Sequence, residues 1–193
     1  MEKLSKAHMQ KKKRWKLVQS TYIFKSPFVA VRADTVELPN GETVDDYTIW
    51  EVPDGVIVIA LTADRKVLFT RQYRHGTGEI LLQLPGGSYD YKSEDPKQAA
   101  TRELQEETGY QASDPIYLGE VSIYPSNMTK KVSIYLAEDV EQKGRTQLDN
   151  TEDIETVSFP LTEVVKLIET GKITDAEAIA GIFLALQHLK ATS

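Results

Sequence analysis

The chain has no cysteine among its 193 residues and no long hydrophobic run. Without cysteine it can form neither disulfide bonds nor thiolate metal sites. No apolar stretch approaches the roughly 20 residues that a membrane-spanning helix needs, and the N-terminal residues lack the apolar core of a secretory signal. These absences predict a cytoplasmic protein that does not enter a membrane.

Basic charge is confined largely to the start of the chain. Residues 1–16 carry seven Lys or Arg and one acid, whereas the remaining residues carry sixteen basic and twenty-eight acidic side chains. A nucleic-acid-binding domain normally presents a basic face, so nucleic acid is not an expected partner of this acidic body. Residues 1–14 are interpreted as a basic, flexible tail. An acidic protein that acts on an anionic substrate needs metal ions to mediate the contact.

Two regions with different patterns follow the tail. Residues 15–52 alternate short β-rich stretches with turns, including a hairpin signal at Asn40-Gly41, and predict a small N-terminal β-subdomain. Residues 53–193 begin with a continuous apolar run at residues 56–61, which is typical of a strand buried on both faces. Strands and helices then alternate. This order predicts an α/β (α+β) fold with a mixed β-sheet sandwiched between helices.

Helix-capping residues predict where the helices lie. Asp95 and Pro96 favour a helix start, and Gly109 favours its end. A second helix is expected from about residue 162 to 171. A third is expected from Thr174, with an apolar stripe formed by Ile179, Ile182, Phe183, Leu186 and Leu189.

The first of these helices carries three glutamates on one face. Glu103, Glu106 and Glu107 have i, i+3 and i+4 spacing, which brings their side chains within about 5–6 Å of each other. Like charges this close repel unless a cation lies between them. Oxygen-only ligands select a hard cation such as Mg²⁺ or Mn²⁺. By spacing alone, a solvated acidic helix face is an equally good interpretation, although Arg102 offers a bidentate partner for one carboxylate.

The flanking residues favour the metal site. Glu94, seven further residues, and then Arg102-Glu103-Leu104-Gln105-Glu106-Glu107-Thr108-Gly109-Tyr110 resemble the Nudix box, a sequence motif of metal-dependent hydrolases. The opening of the motif departs from the pattern. Gly87 lies seven residues before Glu94 where the pattern has six, which indicates a one-residue insertion in the loop at residues 88–93.

Segments outside the box are similar to the ADP-ribose pyrophosphatase branch of the same family. They are Arg71-Gln72-Tyr73-Arg74, Leu82-Gln83-Leu84-Pro85-Gly86-Gly87, Glu152-Asp153-Ile154-Glu155 and Gly171-Lys172-Ile173-Thr174-Asp175-Ala176. The resemblance runs from about residue 15 to 190. Gln83 departs from the acidic residue that is common at its position.

The resemblance implies roles for individual residues. The implied metal ligands are the main-chain carbonyl of Gly86 and the side chains of Glu103, Glu106, Glu107 and Glu152. The implied catalytic residues are Glu106, Glu107, Glu152 and Arg102, and the implied substrate contacts are Arg74, Arg71 and Trp50. The general base is left open, because Asn150 stands about where some members place a base-like Glu.

The function implied by the resemblance is hydrolysis of a nucleoside diphosphate sugar with Mg²⁺ or Mn²⁺. ADP-ribose, cleaved to AMP and ribose 5-phosphate, is the expected substrate. Two alternatives remain, namely a different substrate such as a GDP-sugar or another ADP-sugar, and a nucleotide-binding sensor without catalysis. The resemblance also implies a homodimer in which the N-terminal β-subdomain pairs the subunits and helps to bind the base.

Overall fold

The computed structural model describes residues 13–192, which form two compact units. The first unit comprises the chain up to Val52 together with Tyr124–Thr129, and the second comprises the remainder. The segment Tyr124–Thr129 therefore groups with the N-terminal unit, although it lies far along the chain. Residues 1–12 of the expected basic tail lie outside the described residues, and Lys13 and Arg14 are exposed.

The first unit is an antiparallel three-stranded sheet in the order β1-β2-β3. Its strands are β1 (Lys16–Lys25), β2 (Ala30–Glu37) and β3 (Thr43–Glu51). The hairpin predicted at Asn40-Gly41 joins β2 to β3, and Gly41 adopts a φ of 87°, which suits glycine. Asn127 ties the later segment to β3, because its backbone carbonyl accepts a hydrogen bond from the Trp50 amide at 2.7 Å.

The second unit contains a mixed eight-stranded sheet and three helices, as the sequence predicted. The strands are β4 (Gly55–Thr62), β5 (Lys66–Arg74), β6 (Glu79–Gln83), β7 (Gly86–Ser88), β8 (Tyr110–Gln111), β9 (Ile116–Ser122), β10 (Lys131–Gln142) and β11 (Ile154–Pro160). The main path runs β11-β5-β4-β10-β8, with β6 beside β5, β7 beside β4 and β9 beside β10. The β4–β10 pair is parallel, and the other pairs are antiparallel.

Strand β4 is buried on both faces, which confirms the interpretation of its apolar run. Val56, Val58 and Ala60 belong to one core cluster, together with Ala99, Ala100 and Leu104 of α1 (Pro96–Thr108). Alternate β4 residues face the opposite cluster, which contains residues of α2 (Leu161–Glu169) and α3 (Ala176–Thr192). The sheet is thus sandwiched between helices, because successive strand side chains point to opposite faces.

The ends of α1 follow the predicted capping residues. The Asp95 side chain accepts a hydrogen bond from the Lys97 amide at 2.9 Å, and Pro96 occupies the first helical turn. At the other end Gly109 adopts the left-handed conformation, and its amide donates to the Gln105 carbonyl. These two caps determine which turn of the helix carries each glutamate.

The third helix differs from its prediction in two respects. It begins at Ala176, and Asp175 rather than Thr174 caps it, since its Oδ1 accepts from the Ala178 amide at 2.7 Å. Phe183 was wrongly assigned to the buried stripe and is 60% exposed. The small residues Ala178, Gly181 and Ala185 are buried instead, because they let the helix approach the sheet closely. Within residues 13–192, no helix is long and apolar enough to cross a membrane.

Candidate active site

Helix α1 brings two of its glutamates against strand β7. Glu103 and Glu107 are buried, at 9% and 4% exposure, whereas Glu106 is half-buried. The Gly86 amide donates a hydrogen bond to Glu107 Oε2 at 2.9 Å. The three glutamates therefore do not share one environment, because two face β7 and the third remains accessible.

Glycine is required in this strand for space. A Cβ atom on Gly87 would lie 2.5 Å from the Glu103 carboxylate, and a Cβ on Gly86 would lie 2.2 Å from the Val56 carbonyl oxygen. Any other residue would force the strand or the glutamate to move. The Gly86-Gly87 pair thus allows the β7 backbone to lie directly against the carboxylates of α1.

Arg102 binds three carboxylates at once. Its Nε and Nη2 atoms contact both oxygens of Glu94 at 2.9 and 3.0 Å, while Nη1 lies 2.8 Å from Glu103 and 2.9 Å from Glu106. The bidentate partner of Arg102 is therefore Glu94 rather than Glu103, Glu106 or Glu107. Hydrogen bonds from Arg102 lower the pKa of Glu94.

The inserted residue in the motif is accommodated by a tight turn before the helix. The Ser93 and Glu94 amides both donate to the Asp90 carbonyl at 2.9 Å. The turn brings Glu94 to Arg102 despite the extra residue. The change in loop length consequently leaves the Arg102–Glu94 ion pair intact.

Burial dominates the electrostatics of the two enclosed glutamates. Burial raises the pKa of Glu107 to about 8, the Gly86 hydrogen bond acts in the opposite direction, and the charges of Glu103 and Glu152 raise this pKa further. Burial also raises the pKa of Glu103, although Arg102 opposes the shift. Two carboxyl groups that are costly to ionise in one place are typical of a site that a cation completes.

Glu152 lies within electrostatic range of both buried glutamates, although it comes from a distant loop. The Asp149 amide donates to its Oε2 at 2.9 Å, and the Glu152 amide donates back to the Asp149 carbonyl at 2.9 Å. This turn holds the side chain before β11 begins. The charge of Glu152 thus raises the pKa values of Glu103 and Glu107, and its role as a metal ligand stays a prediction.

Arg74 lies at the end of β5 and contributes positive charge near Glu107. Its charge lowers the pKa of Glu107 and also that of Glu177 on α3, against the larger effect of burial at both groups. The Arg74 Nε atom donates to Gln83 Oε1 at 2.5 Å. Arg74 is thus the one predicted substrate contact that the structure associates electrostatically with the α1 glutamates.

The other two predicted substrate contacts have different surroundings. Arg71 forms an exposed ion pair with Glu155 across the β5–β11 pair, with an N–O distance of 3.0 Å. Trp50 belongs to the N-terminal unit, where its ring stacks on Tyr124 with centroids 5.8 Å apart. The roles of Arg71 and Trp50 as substrate contacts therefore stay predictions.

The acidic side chains around Glu103 and Glu107 do not form a ready-made metal site in the described residues. Among residues 13–192, no three acidic, histidine or cysteine side chains converge closely enough to hold a metal. The metal-ligand roles of Gly86, Glu103, Glu106, Glu107 and Glu152 consequently stay predictions. A groove of about 620 Å³ along the exposed side of α1 is lined by Arg102 and Glu106 but not by Glu103 or Glu107.

Comparison with known proteins identifies the family. The NUDIX domain model matches residues 52–181, and the model of the nucleoside diphosphate sugar hydrolase N-terminal domain matches residues 15–50. The chain belongs to the Nudix hydrolase family. The two matches meet at about the same position as the division between the two units.

Similar proteins include enzymes and an activator. The chain is 31% identical to the methanol dehydrogenase activator of Bacillus methanolicus, over 90% of this chain and 94% of that protein. It is 29% identical to the ADP-ribose pyrophosphatase of Bacillus subtilis, covering 91% and 92% of the two chains. The corresponding enzyme of Mycobacterium tuberculosis is 31% identical, with 86% and 80% covered. A crystal structure of an ADP compounds hydrolase matches with a TM-score of 0.82 at 24% identity, covering 95% and 98%, and shows the fold alone.

Sequence reasoning missed the residues of α3 and of the preceding turn that lie near Gln83 and Arg74. Asp175 accepts a hydrogen bond from Gln83 Nε2 at 2.9 Å, and Glu177 is enclosed near Arg74 and Lys130. The departure of Gln83 from the usual acidic residue was the available sequence signal. Its meaning depended on a contact between residues 92 positions apart, which no local pattern reveals.

Proposed function

We propose that the protein is a metal-dependent pyrophosphohydrolase that cleaves nucleoside diphosphate sugars, with ADP-ribose as its substrate and AMP and ribose 5-phosphate as its products. The observation that carries this proposal is the pair of buried glutamates, Glu103 and Glu107, which lie against Gly86 and Gly87 of β7. Burying two carboxyl groups destabilises the folded state unless a bound ligand compensates the cost.

The donor atoms of this cluster are of the type that a divalent cation prefers. They supply oxygen donors only, which suits Mg²⁺ or Mn²⁺. Burial makes the ionised forms of Glu103 and Glu107 costly, and a cation would compensate that cost. Glu103, Glu106, Glu107, Glu152 and the Gly86 carbonyl are the proposed ligands. A cation held by these residues would supply positive charge to the phosphate oxygens and would lower the pKa of a bound water.

The remaining residues have supporting tasks. Arg74 binds the diphosphate, since its guanidinium lies within electrostatic range of Glu107 and is exposed to solvent. Arg102 positions Glu103 and Glu106 while Glu94 anchors its other edge. Arg71 is the weaker candidate for a phosphate contact, because Glu155 already pairs with it.

The substrate proposal draws on the similar proteins. Two relatives of about 30% identity are named ADP-ribose pyrophosphatase, and the relatives at 26% identity include a GDP-mannose pyrophosphatase of Escherichia coli. A GDP-sugar is therefore the second candidate substrate. Both candidates contain a diphosphate between a nucleoside and a sugar, which is the group that the acidic cluster and Arg74 would recognise.

We also propose that the N-terminal unit pairs two subunits and that Trp50 contributes to base binding. Every residue of β1 is exposed, and large apolar side chains lie among them: Leu17, Val18, Tyr22, Ile23 and Phe24. An exposed apolar edge strand of this length normally has a partner. A second copy of the chain would cover the same patch on both subunits.

The test is a panel of nucleoside diphosphate sugars incubated with Mg²⁺ or Mn²⁺ and followed by chromatography of the products. We expect AMP from ADP-ribose at a higher rate than any product from GDP-mannose, and no turnover in EDTA. Turnover that survives thorough chelation would contradict the metal mechanism. Binding of ADP-ribose without any turnover would support the non-catalytic sensor instead.

A further inference from the structure

A chain of hydrogen bonds joins Arg74 to the N-terminus of α3. Arg74 Nε donates to Gln83 Oε1 at 2.5 Å, and Gln83 Nε2 donates to Asp175 Oδ2 at 2.9 Å. The second carboxylate oxygen of Asp175 accepts from the Ala178 amide at 2.7 Å and so caps the helix. Strand ends β5 and β6 and helix α3 are thereby connected through two half-buried side chains.

The neighbours of Gln83 determine which way its amide points. Arg74 can only donate, and an ionised Asp175 can only accept. Gln83 must therefore turn its oxygen to the arginine and its nitrogen to the aspartate. A carboxylate at position 83 would accept from Arg74 equally well, but it would face Asp175 with like charge and no proton between them.

This arrangement leaves one edge of the Arg74 guanidinium available. Its single Nε–H is bound to Gln83, and within residues 13–192 the structure gives the two terminal nitrogens no hydrogen-bond partner. Arg74 is exposed, so an unanchored side chain would sample several rotamers. Anchoring at Nε reduces that freedom while the terminal nitrogens keep their capacity to bind two oxygens of a phosphate.

We propose that Gln83 is a positioning residue that holds Arg74 for binding a diphosphate, and that Asp175 fixes the orientation of Gln83. The inference rests on the phosphate-binding role proposed above for Arg74. The amide at position 83 thus orients Arg74, and Asp175 both caps α3 and orients Gln83.

The test exchanges the amide and the carboxylate between the two positions. Gln83→Glu should raise KM for ADP-ribose about tenfold with a nearly unchanged kcat, because Asp175 repels the new carboxylate and displaces it from Arg74. Asp175→Asn removes a negative charge and would by charge alone lower KM for an anion. We expect it instead to raise KM about fivefold, since the asparagine oxygen keeps the shorter cap bond and its amide then faces the amide of Gln83.

The double variant Gln83→Glu with Asp175→Asn should recover the wild-type KM. Arg74 then donates to the carboxylate introduced at position 83, the amide introduced at position 175 donates to that same carboxylate, and the Ala178 amide keeps its cap. The net charge equals that of the wild type, so recovery cannot come from charge alone. Gln187→Glu, on the exposed side of α3, is the matched control and should leave KM unchanged.

The outcomes separate this inference from the proposed function. If Arg74→Ala raises KM but the position-83 and position-175 variants do not, the positioning role is wrong and the proposed function stands. If the single variants only lower the unfolding temperature, the bonds are merely structural and the positioning role is again wrong. If the wild-type protein turns over no nucleoside diphosphate, or Arg74→Ala leaves KM unchanged, the role of Arg74 fails and the positioning role fails with it.

Discussion

The two units of the chain differ in how far their apolar strands are buried. In the second unit, β4 is covered on both faces, and its residues from Val56 to Leu61 are all at most 6% exposed. In the first unit, β1 is exposed along its whole length, with Ile23 at 66% exposure. A core of the first kind can stabilise a fold alone, whereas the surface of the second kind is the one on which we propose that a second copy of the chain binds. The glutamates that we propose as metal ligands belong to the second unit, where they lie on the packed helix α1.

The largest expected effect comes from removing one charge inside the second unit. Glu107→Gln keeps the size of the side chain but removes a proposed metal ligand, and should lower kcat for ADP-ribose by on the order of a hundredfold or more. Steady-state kinetics at saturating Mg²⁺ would measure the change. Glu169→Gln, on the surface of α2, is the control. A kcat close to the wild-type value would contradict the proposed role of Glu107 as a metal ligand.

Packing beneath the same helix should be sensitive as well. Leu104 is fully buried between α1 and the sheet, so Leu104→Ala should destabilise the protein by about 2–5 kcal/mol. Leu17→Ala, in exposed β1, should change the free energy of unfolding by no more than about 0.5 kcal/mol when the protein is monomeric. Urea unfolding at low protein concentration would measure both. Equal losses would remove the contrast between the two units.

The exposed strand should respond to charge rather than to truncation. Ile23→Asp places a charge in the apolar surface of β1 and should convert a dimer of twice the chain mass to a monomer. Sedimentation at micromolar concentration would show the shift, with Lys190→Asp on the exposed face of α3 as a control. A wild-type protein that sediments as a monomer would contradict the proposed pairing.

A smaller effect should distinguish two glutamates of the late loop. Glu152→Gln should lower kcat by about tenfold, because Glu152 lies within electrostatic range of Glu103 and Glu107. Glu155→Gln should have little effect, because Glu155 only pairs with Arg71 on the surface. The two variants remove the same charge from neighbouring positions of the chain. Similar small losses from both variants would contradict a catalytic role for Glu152.

The last effect concerns the stability of the metal-free protein. Burial raises the pKa of Glu107 in the folded state from 4.5 to about 8, so the folded state holds a proton that the unfolded state has released. The associated stability is complete below about pH 4.5 and is lost as the pH rises towards 8. In EDTA, the fall in unfolding temperature between about pH 5 and about pH 8.5 should be smaller for Glu107→Gln than for the wild type. Identical pH profiles would show that Glu107 ionises freely.

The local sequence pattern predicted many of the strands and helices and the helix that carries the three glutamates. The double burial of β4, both caps of α1 and the inward positions of Ala99 and Leu104 depend on residues close together in the chain. The error at Phe183 arose because periodicity defines a stripe but not its width, and the small residues of α3 are the ones that touch the sheet. The partners of Gln83 depend on a contact with α3 that only the complete fold establishes. The cytoplasmic location and the basic tail stay predictions.

Three glycines near the centre of the second unit have a consequence for mutational tolerance. Gly86, Gly87 and Gly181 do not adopt positive φ angles, so their backbone conformation alone does not require glycine. Each is nevertheless confined, since an added methyl group would meet Val56, Glu103 or the Ile57, Ile59 and Leu84 side chains. Gly41 and Gly78 have positive φ angles but open space around them. In a saturation screen, Gly86, Gly87 and Gly181 should therefore tolerate alanine less well than Gly41 and Gly78.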